Sequence, residues 1–136
     1  VIATYGEQLA GKVVVDITNP LDFATFDGLV VPADSSAAAV IADKLPQSKV
    51  LKAFNTNFAA TLASGVVGEQ ATTVLIAGDD QDAKDALLAI VRAAGLNGED
   101  AGSLKRAREL EAIGFLQLTL AVGEKIGWTG GFAVVK

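Results

Sequence analysis

At 136 residues the chain is long enough for one domain with a substantial core, and an apolar content of 51% excludes general disorder. A net charge of −5 argues against a nucleic-acid surface, because neutralising phosphates requires a basic stripe. Cysteine, histidine and methionine are all absent, so disulfides, Cys/His zinc sites, Ser-His-Asp catalysis and cysteine nucleophiles are ruled out within this chain.

Residues 1–10 form an opening helical stretch that Gly11 ends, and residues 12–17 are a continuous β-branched run suited to a strand covered on both faces. Thr18-Asn19-Pro20 stops that strand, since proline lacks a donor and keeps its neighbour out of the helical region. Residues 21–34 read as a connection. Asp34 or Ser35 is placed to cap a helix running to Leu45, which Pro46 closes. Residues 50–54 form the second strand, Asn57 is placed to cap a short helix ending before Gly65, and residues 66–72 read as a loop. The third strand covers residues 73–77. Asp79 then caps a helix whose Ala83, Ala86, Leu87, Ile90, Val91 and Ala94 recur at helical spacing, and Gly95 fits the left-handed position after it. A short edge strand falls within residues 96–102.

The last long helix is expected from Ser103 to about Ile126, followed by a Gly127–Gly131 turn and an extended tail over residues 132–135. From Ile113 to Val122 it is apolar on more than one face, which predicts burial against something larger than this sheet. That apolar region falls well short of the roughly 20 residues a membrane span needs. No membrane partner is therefore expected, and a cytoplasmic location is the default. Alternating strands and helices argue for parallel strands with helical crossovers. No strand leads into G-x-G-x-x-G, so the chain reads as the distal part of a larger α/β unit. Residues 1–102 would be the second half of a dinucleotide-binding domain, and residues 103–136 a helix and tail for an acceptor site and dimer contact.

Candidate chemistry concentrates where strands end. Ligands of open α/β sheets sit beyond such ends, and Thr18 and Asn19 there can hydrogen-bond a ring amide or ribose while Pro20 stiffens the loop. A plain Asx turn explains the same residues. Lys52-Ala53-Phe54-Asn55-Thr56-Asn57 repeats the pattern: Asn57 reads as a helix cap, whereas Asn55 suits a ligand or local backbone equally. Asp79 and Asp80 read as helix capping before magnesium binding. Asp100-Ala101-Gly102-Ser103 reads as the cap of the long helix. Lys105, Arg106, Arg108, Glu109 and Glu111 read as a solvated helix face. Trp128 reads as an anchor at a packed surface or a pocket wall, and Phe132 as a second wall. No pair of side chains suits general acid–base catalysis. Hydride transfer between two bound cofactors needs none.

From Gly11 to Pro20 the chain resembles the NADP-dependent oxidoreductases related to coenzyme F420:NADP oxidoreductase, a domain that also forms the cytoplasmic part of the STEAP metalloreductases. Lys52-Ala53-Phe54-Asn55-Thr56, Ala77-Gly78-Asp79-Asp80 and Asp100-Ala101-Gly102-Ser103-Leu104 follow in the family's order, so the resemblance covers nearly the whole chain. It implies a Rossmann-type α/β fold with a glycine loop in a preceding segment. It also implies that Asn19 and Pro20 lie near the nicotinamide and that Ala53 and Asn55 border the same ring and its ribose. The activity implied is hydride transfer between NADP and a flat acceptor, F420 or a flavin, in a homodimer. Where F420-using members carry hydroxyl side chains, this chain has Ala112 and Gly114, small residues that leave room for a flat ring. The competing expectation is a non-catalytic dinucleotide-sensing or dimerisation module.

Overall fold

A computed structural model describes residues 1–136. In chain order the elements are α1 (Ile2–Tyr5), a 3₁₀ turn (Gly6–Leu9), β1 (Val13–Asp16), α2 (Ala37–Lys44), β2 (Lys49–Lys52), α3 (Ala59–Ser64), β3 (Val66–Val67), β4 (Gln70–Ala71), β5 (Thr73–Gly78), α4 (Gln81–Ala93), β6 (Asn97–Gly102), a second 3₁₀ turn (Leu104–Arg106) and α5 (Ala107–Val122). Four strands make one sheet in the order β1-β2-β5-β6, and β3 with β4 forms a separate hairpin where a loop was expected. The pairs β1/β2 and β5/β6 are parallel, as the alternation predicts, whereas the central pair β2/β5 is antiparallel. The sheet is thus mainly parallel but mixed. Residues 53–72, which hold α3 and the β3/β4 hairpin, join the two strands without recrossing the sheet. Strand β5 therefore starts at the edge where β2 ends.

Adjacent residues of a strand face opposite sides of a sheet, and β2 shows what that does for the core. Leu51 packs with Ala53, Val74, Ile76, Ala83, Leu88 and Val91 beneath α4. Val50 packs with Ala38, Leu45, Leu104 and Ala107 beneath α2 and the start of α5. Helices cover both faces, the layering of a Rossmann-type α/β domain.

The caps differ in detail from the sequence-based expectation. Ser36, not Asp34 or Ser35, caps α2, accepting from Ala39 N at 3.0 Å. Asp80 caps α4, accepting from Ala83 N at 2.8 Å, while Asp79 accepts from Leu104 N at 2.9 Å and ties the second 3₁₀ turn to β5. Asn57 caps nothing: α3 starts at Ala59 with Phe58 in the N-cap position, and Asn57 Nδ2 donates to Thr73 O at 3.0 Å. The long helix is shorter than expected. It closes at Gly123, where Glu124 takes a left-handed φ of 58° and the Glu124 and Lys125 amides return to Ala121 O and Leu120 O at 3.0 and 2.8 Å. This is a Schellman closure with glutamate in the place glycine usually takes.

Asp100 does not cap a helix either, since it lies within β6. Its Oδ1 accepts from the buried Lys84 Nζ at 2.9 Å and from Gly102 N at 2.8 Å, and its Oδ2 from Gln81 at 3.1 Å. The Lys84 hydrogen bond, helped by those of Gly102 and Gln81 and opposed by burial, holds the Asp100 carboxyl below the ordinary aspartate range. A lowered folded-state pKa contributes stability that is present above the unfolded value, near 3.9, and lost as pH falls through the folded one. Asp100→Asn should therefore lower the urea midpoint at neutral pH and flatten its decline on acidification from about pH 5 downward. An unchanged acid limb in that variant would show that the contact contributes nothing.

Candidate functional site

Parallel pairing of β1 with β2 sets Asp16 opposite Lys52 and brings both strand ends to one rim. The two asparagine turns consequently meet. Asn19 Nδ2 donates to the Asn55 carbonyl at 3.1 Å, and Asn55 Nδ2 donates to Asn19 Oδ1 at 3.2 Å and to the Leu110 carbonyl of α5 at 2.8 Å. Both amide hydrogens of Asn55 are thereby used. Asn19 keeps one N–H and one lone pair, since an amide offers two of each. Asn55 is buried, Asn19 and Pro20 are half-buried and Thr18 is exposed, so the rim opens to solvent at Thr18 and Asn19. Ala53 is fully buried in the core beneath the turn and supports it from below. Phe54, just before Asn55, takes a left-handed φ of 66°. A bulky residue there is strained, and the turn it makes is closed by Asn57 N donating to Phe54 O at 3.1 Å.

Helix α5 reaches this rim because residue 114 has no side chain. A Cβ on Gly114 would stand 2.4 Å from Asn19 Oδ1, 2.9 Å from Asn55 Nδ2 and 3.1 Å from Asn55 O. The expectation that Gly114 leaves room for a flat ring is thus corrected: the two amides already occupy that room.

Beneath the turn lies a charged network that the sequence reading passes over. Lys52 and Glu111 are 0% and 1% exposed, and Asp16 is buried as well. Lys52 Nζ donates to Thr18 O at 2.6 Å and to Asp16 Oδ2 at 3.0 Å, and lies 3.0 Å from Glu111 Oε1. The Glu111 carboxylate also accepts from Ala37 N and Ala38 N at 2.9 and 3.2 Å, so a residue of α5 satisfies the first amides of α2. Glu111 is therefore not part of a solvated face. Its neighbours behave as expected: Glu109 meets Arg106 and Arg108 at 3.3 and 3.4 Å on the surface. The available signal was a charged residue within each of two expected strands, Asp16 and Lys52, which parallel register sets side by side.

Gln117 is a second residue the sequence did not mark. Buried on α5, it donates to Thr56 O at 3.0 Å and accepts from Phe132 N at 3.0 Å, strapping the tail onto the Asn55 loop. Trp128 packs on Phe58 with ring centroids 5.1 Å apart, which makes it an anchor of that tail. Phe132 is tied to Gln117 through its backbone while its ring remains half-exposed. The apolar end of α5 is not buried within the chain. Gly114, Gln117 and Ala121 face inward, whereas Ile113, Leu116 and Val122 are exposed, Leu116 by 51%. A well-formed cleft of about 270 Å³ lies elsewhere, between Asp34–Ser36, Asp79, Lys105 and Arg108. The α2 amides beside it are already taken by Glu111 and Ser36.

Strand ends meeting at an amide-lined rim, in a sheet covered by helices on both faces, define a Rossmann-type α/β domain. No family model matches the chain. Among curated proteins it is 37% identical over 112 residues to metalloreductase STEAP3 of Rattus norvegicus, covering 82% of this chain and 22% of that protein. To the F420-dependent NADP reductase of Methanocaldococcus jannaschii it is 32% identical over 128 residues, covering 91% of this chain and 57% of the relative. A solved structure from Arthrobacter sp. FB24, described as a candidate F420-dependent NADP reductase, superposes with a TM-score of 0.84 at 27% identity, over 98% of this chain and 62% of that one. A hypothetical protein from Sinorhizobium meliloti gives a TM-score of 0.65 at 29% identity, over 76% and 52% of the two chains. The chain belongs to the family of the F420-dependent NADP reductases, which the STEAP metalloreductases share. It spans somewhat over half the length of the reductase and about a fifth of STEAP3. No helix is long and apolar enough to cross a membrane.

Proposed function

We propose that this chain forms the nicotinamide side of an NADP-dependent oxidoreductase that passes hydride to or from a flat acceptor. F420 is the first acceptor to test, because two relatives carry it in their names; a flavin is the second. The observation that carries this reading is the Asn19–Asn55 pair. A carboxamide needs one donor and one acceptor from its site, and Asn19 keeps one of each after pairing with Asn55. Thr18 Oγ1, which donates to Asp16 at 2.8 Å, keeps lone pairs for a ribose hydroxyl. Pro20 holds the turn, and Ala53 supports Asn55 from within the core.

The same residues do not suit phosphates. Lys52, the cation nearest the rim, has three donors and three acceptors around it. The pyrophosphate and 2′-phosphate are therefore assigned to a glycine loop outside these residues. NADP supplies the hydride chemistry; this chain's contribution is to orient the ring, since near-attack geometry brings reacting atoms to roughly 3–3.5 Å. The exposed Ile113, Leu116 and Val122 are apolar surface for a second copy of the protein, and a homodimer in the cytoplasm is part of the proposal.

The test is NADPH oxidation with F420 or a flavin by the full-length protein. Asn19→Ala, removing the ring contact, should lower kcat/KM for NADPH by about tenfold, the effect of losing one hydrogen bond. A folded Asn19→Ala variant with unchanged kcat/KM would take the ring away from this rim. NADPH binding without turnover on any flat acceptor would favour a sensing role.

A further inference from the structure

We propose that Lys52 is a positioning residue: its buried ammonium fixes the peptide that presents Asn19 to the ring. The proposal rests on the ring-site reading above. Every polar group of Thr18 is held by the Asp16–Lys52 pair. Asp16 Oδ1 accepts from Thr18 N at 2.9 Å and from Thr18 Oγ1 at 2.8 Å, and Lys52 Nζ donates to Thr18 O at 2.6 Å. On the far side Pro20 has a locked φ, Leu21 N donates to Asn19 O at 2.9 Å and Val30 N to Pro20 O at 2.7 Å. Asn19 is thus gripped on both flanks. Glu111 in turn fixes the ammonium from α5 and binds it to the start of α2.

Stability alone gives little reason for this arrangement. Burying charges carries a large desolvation cost, and replacing a whole buried ion network by neutral groups of similar volume is commonly neutral or stabilising. What neutral packing cannot do is aim a carbonyl. A saturated ammonium, with acceptors at the end of β1, in the turn that follows it and on α5, sets the direction of the Thr18–Asn19 peptide in a way that a methionine of similar length cannot.

The experiment compares affinities for NADPH and for adenosine 2′-phosphate 5′-diphosphoribose, which lacks only the nicotinamide, in the full-length protein. The ratio of the two isolates what the ring contributes. Lys52→Met alone strands two buried carboxylates and risks unfolding, so the decisive variant is the neutral triple Asp16→Asn, Lys52→Met, Glu111→Gln, whose folding is checked by its urea midpoint. The expected result is a roughly tenfold loss of the NADPH-over-analogue preference with the analogue's affinity unchanged. A preference kept in the triple variant overturns the positioning role, as does an equal loss for both ligands, which marks a structural role only. A wild-type protein with no preference for NADPH overturns the ring-site reading, and this proposal with it.

Discussion

Glu111→Ala should destabilise the fold by about 3–5 kcal/mol, the range for removing one partner of a buried ion pair. The loss has three sources, all visible around one carboxylate. Lys52 is left with Asp16 as its only counter-charge, still fully buried. The Ala37 and Ala38 amides lose their acceptor at the start of α2. The attachment of α5 to α2 beneath the ring-binding turn is also cut. Two positions away, Glu109 lies on the surface beside Arg106 and Arg108, and its carboxyl is held low first by its own backbone amide. Glu109→Ala should leave the urea midpoint almost unchanged. The pair of variants separates two readings of one helix: a charged face in water predicts equal, small effects, and the network predicts a large one at Glu111 only.

Gly114→Ala provides a second test in which two physical effects have opposite signs. Within a helix, alanine is favoured over glycine by roughly 1 kcal/mol, so α5 considered alone predicts a more stable protein. Packing predicts the reverse. The new methyl carbon would lie 2.4 Å from Asn19 Oδ1 and within 3.1 Å of two Asn55 atoms. Overpacking of this kind costs about 1–3 kcal/mol and exceeds the propensity gain unless both amides turn away. Either way the Asn19–Asn55 pair is lost. The expected result is a lower urea midpoint together with a fall of tenfold or more in kcat/KM for NADPH. A stabilised Gly114→Ala variant with normal NADPH kinetics would mean that α5 does not press on the pair.

The meeting of Asn19 and Asn55 was legible in the sequence because it depends on two things a sequence displays: where apolar strands stop, and that neighbouring strands run the same way. Gly95 after α4 and Pro46 after α2 were legible for the same local reasons. The reversal at β5 was not, because an apolar run reads the same whichever way the strand lies beside its neighbour. Asp79 and Asp80 were both readable as caps, but which element each serves depends on the approach of Leu104, 25 residues away. The Asp16–Lys52–Glu111 network was hidden most deeply. Glu111 sits among charges at helical spacing that resemble an exposed stripe, and its burial follows from the docking of α5 against a strand 59 residues earlier.

The antiparallel step between β2 and β5 divides labour within the sheet. Only β1 and β2 deliver their final residues to the asparagine edge; β5 and β6 discharge theirs on the far side, at Gly78 and Gly102. An engineer wanting a reporter dye or an affinity handle has a natural address at Asp82 or Ser103, exposed positions on that far side.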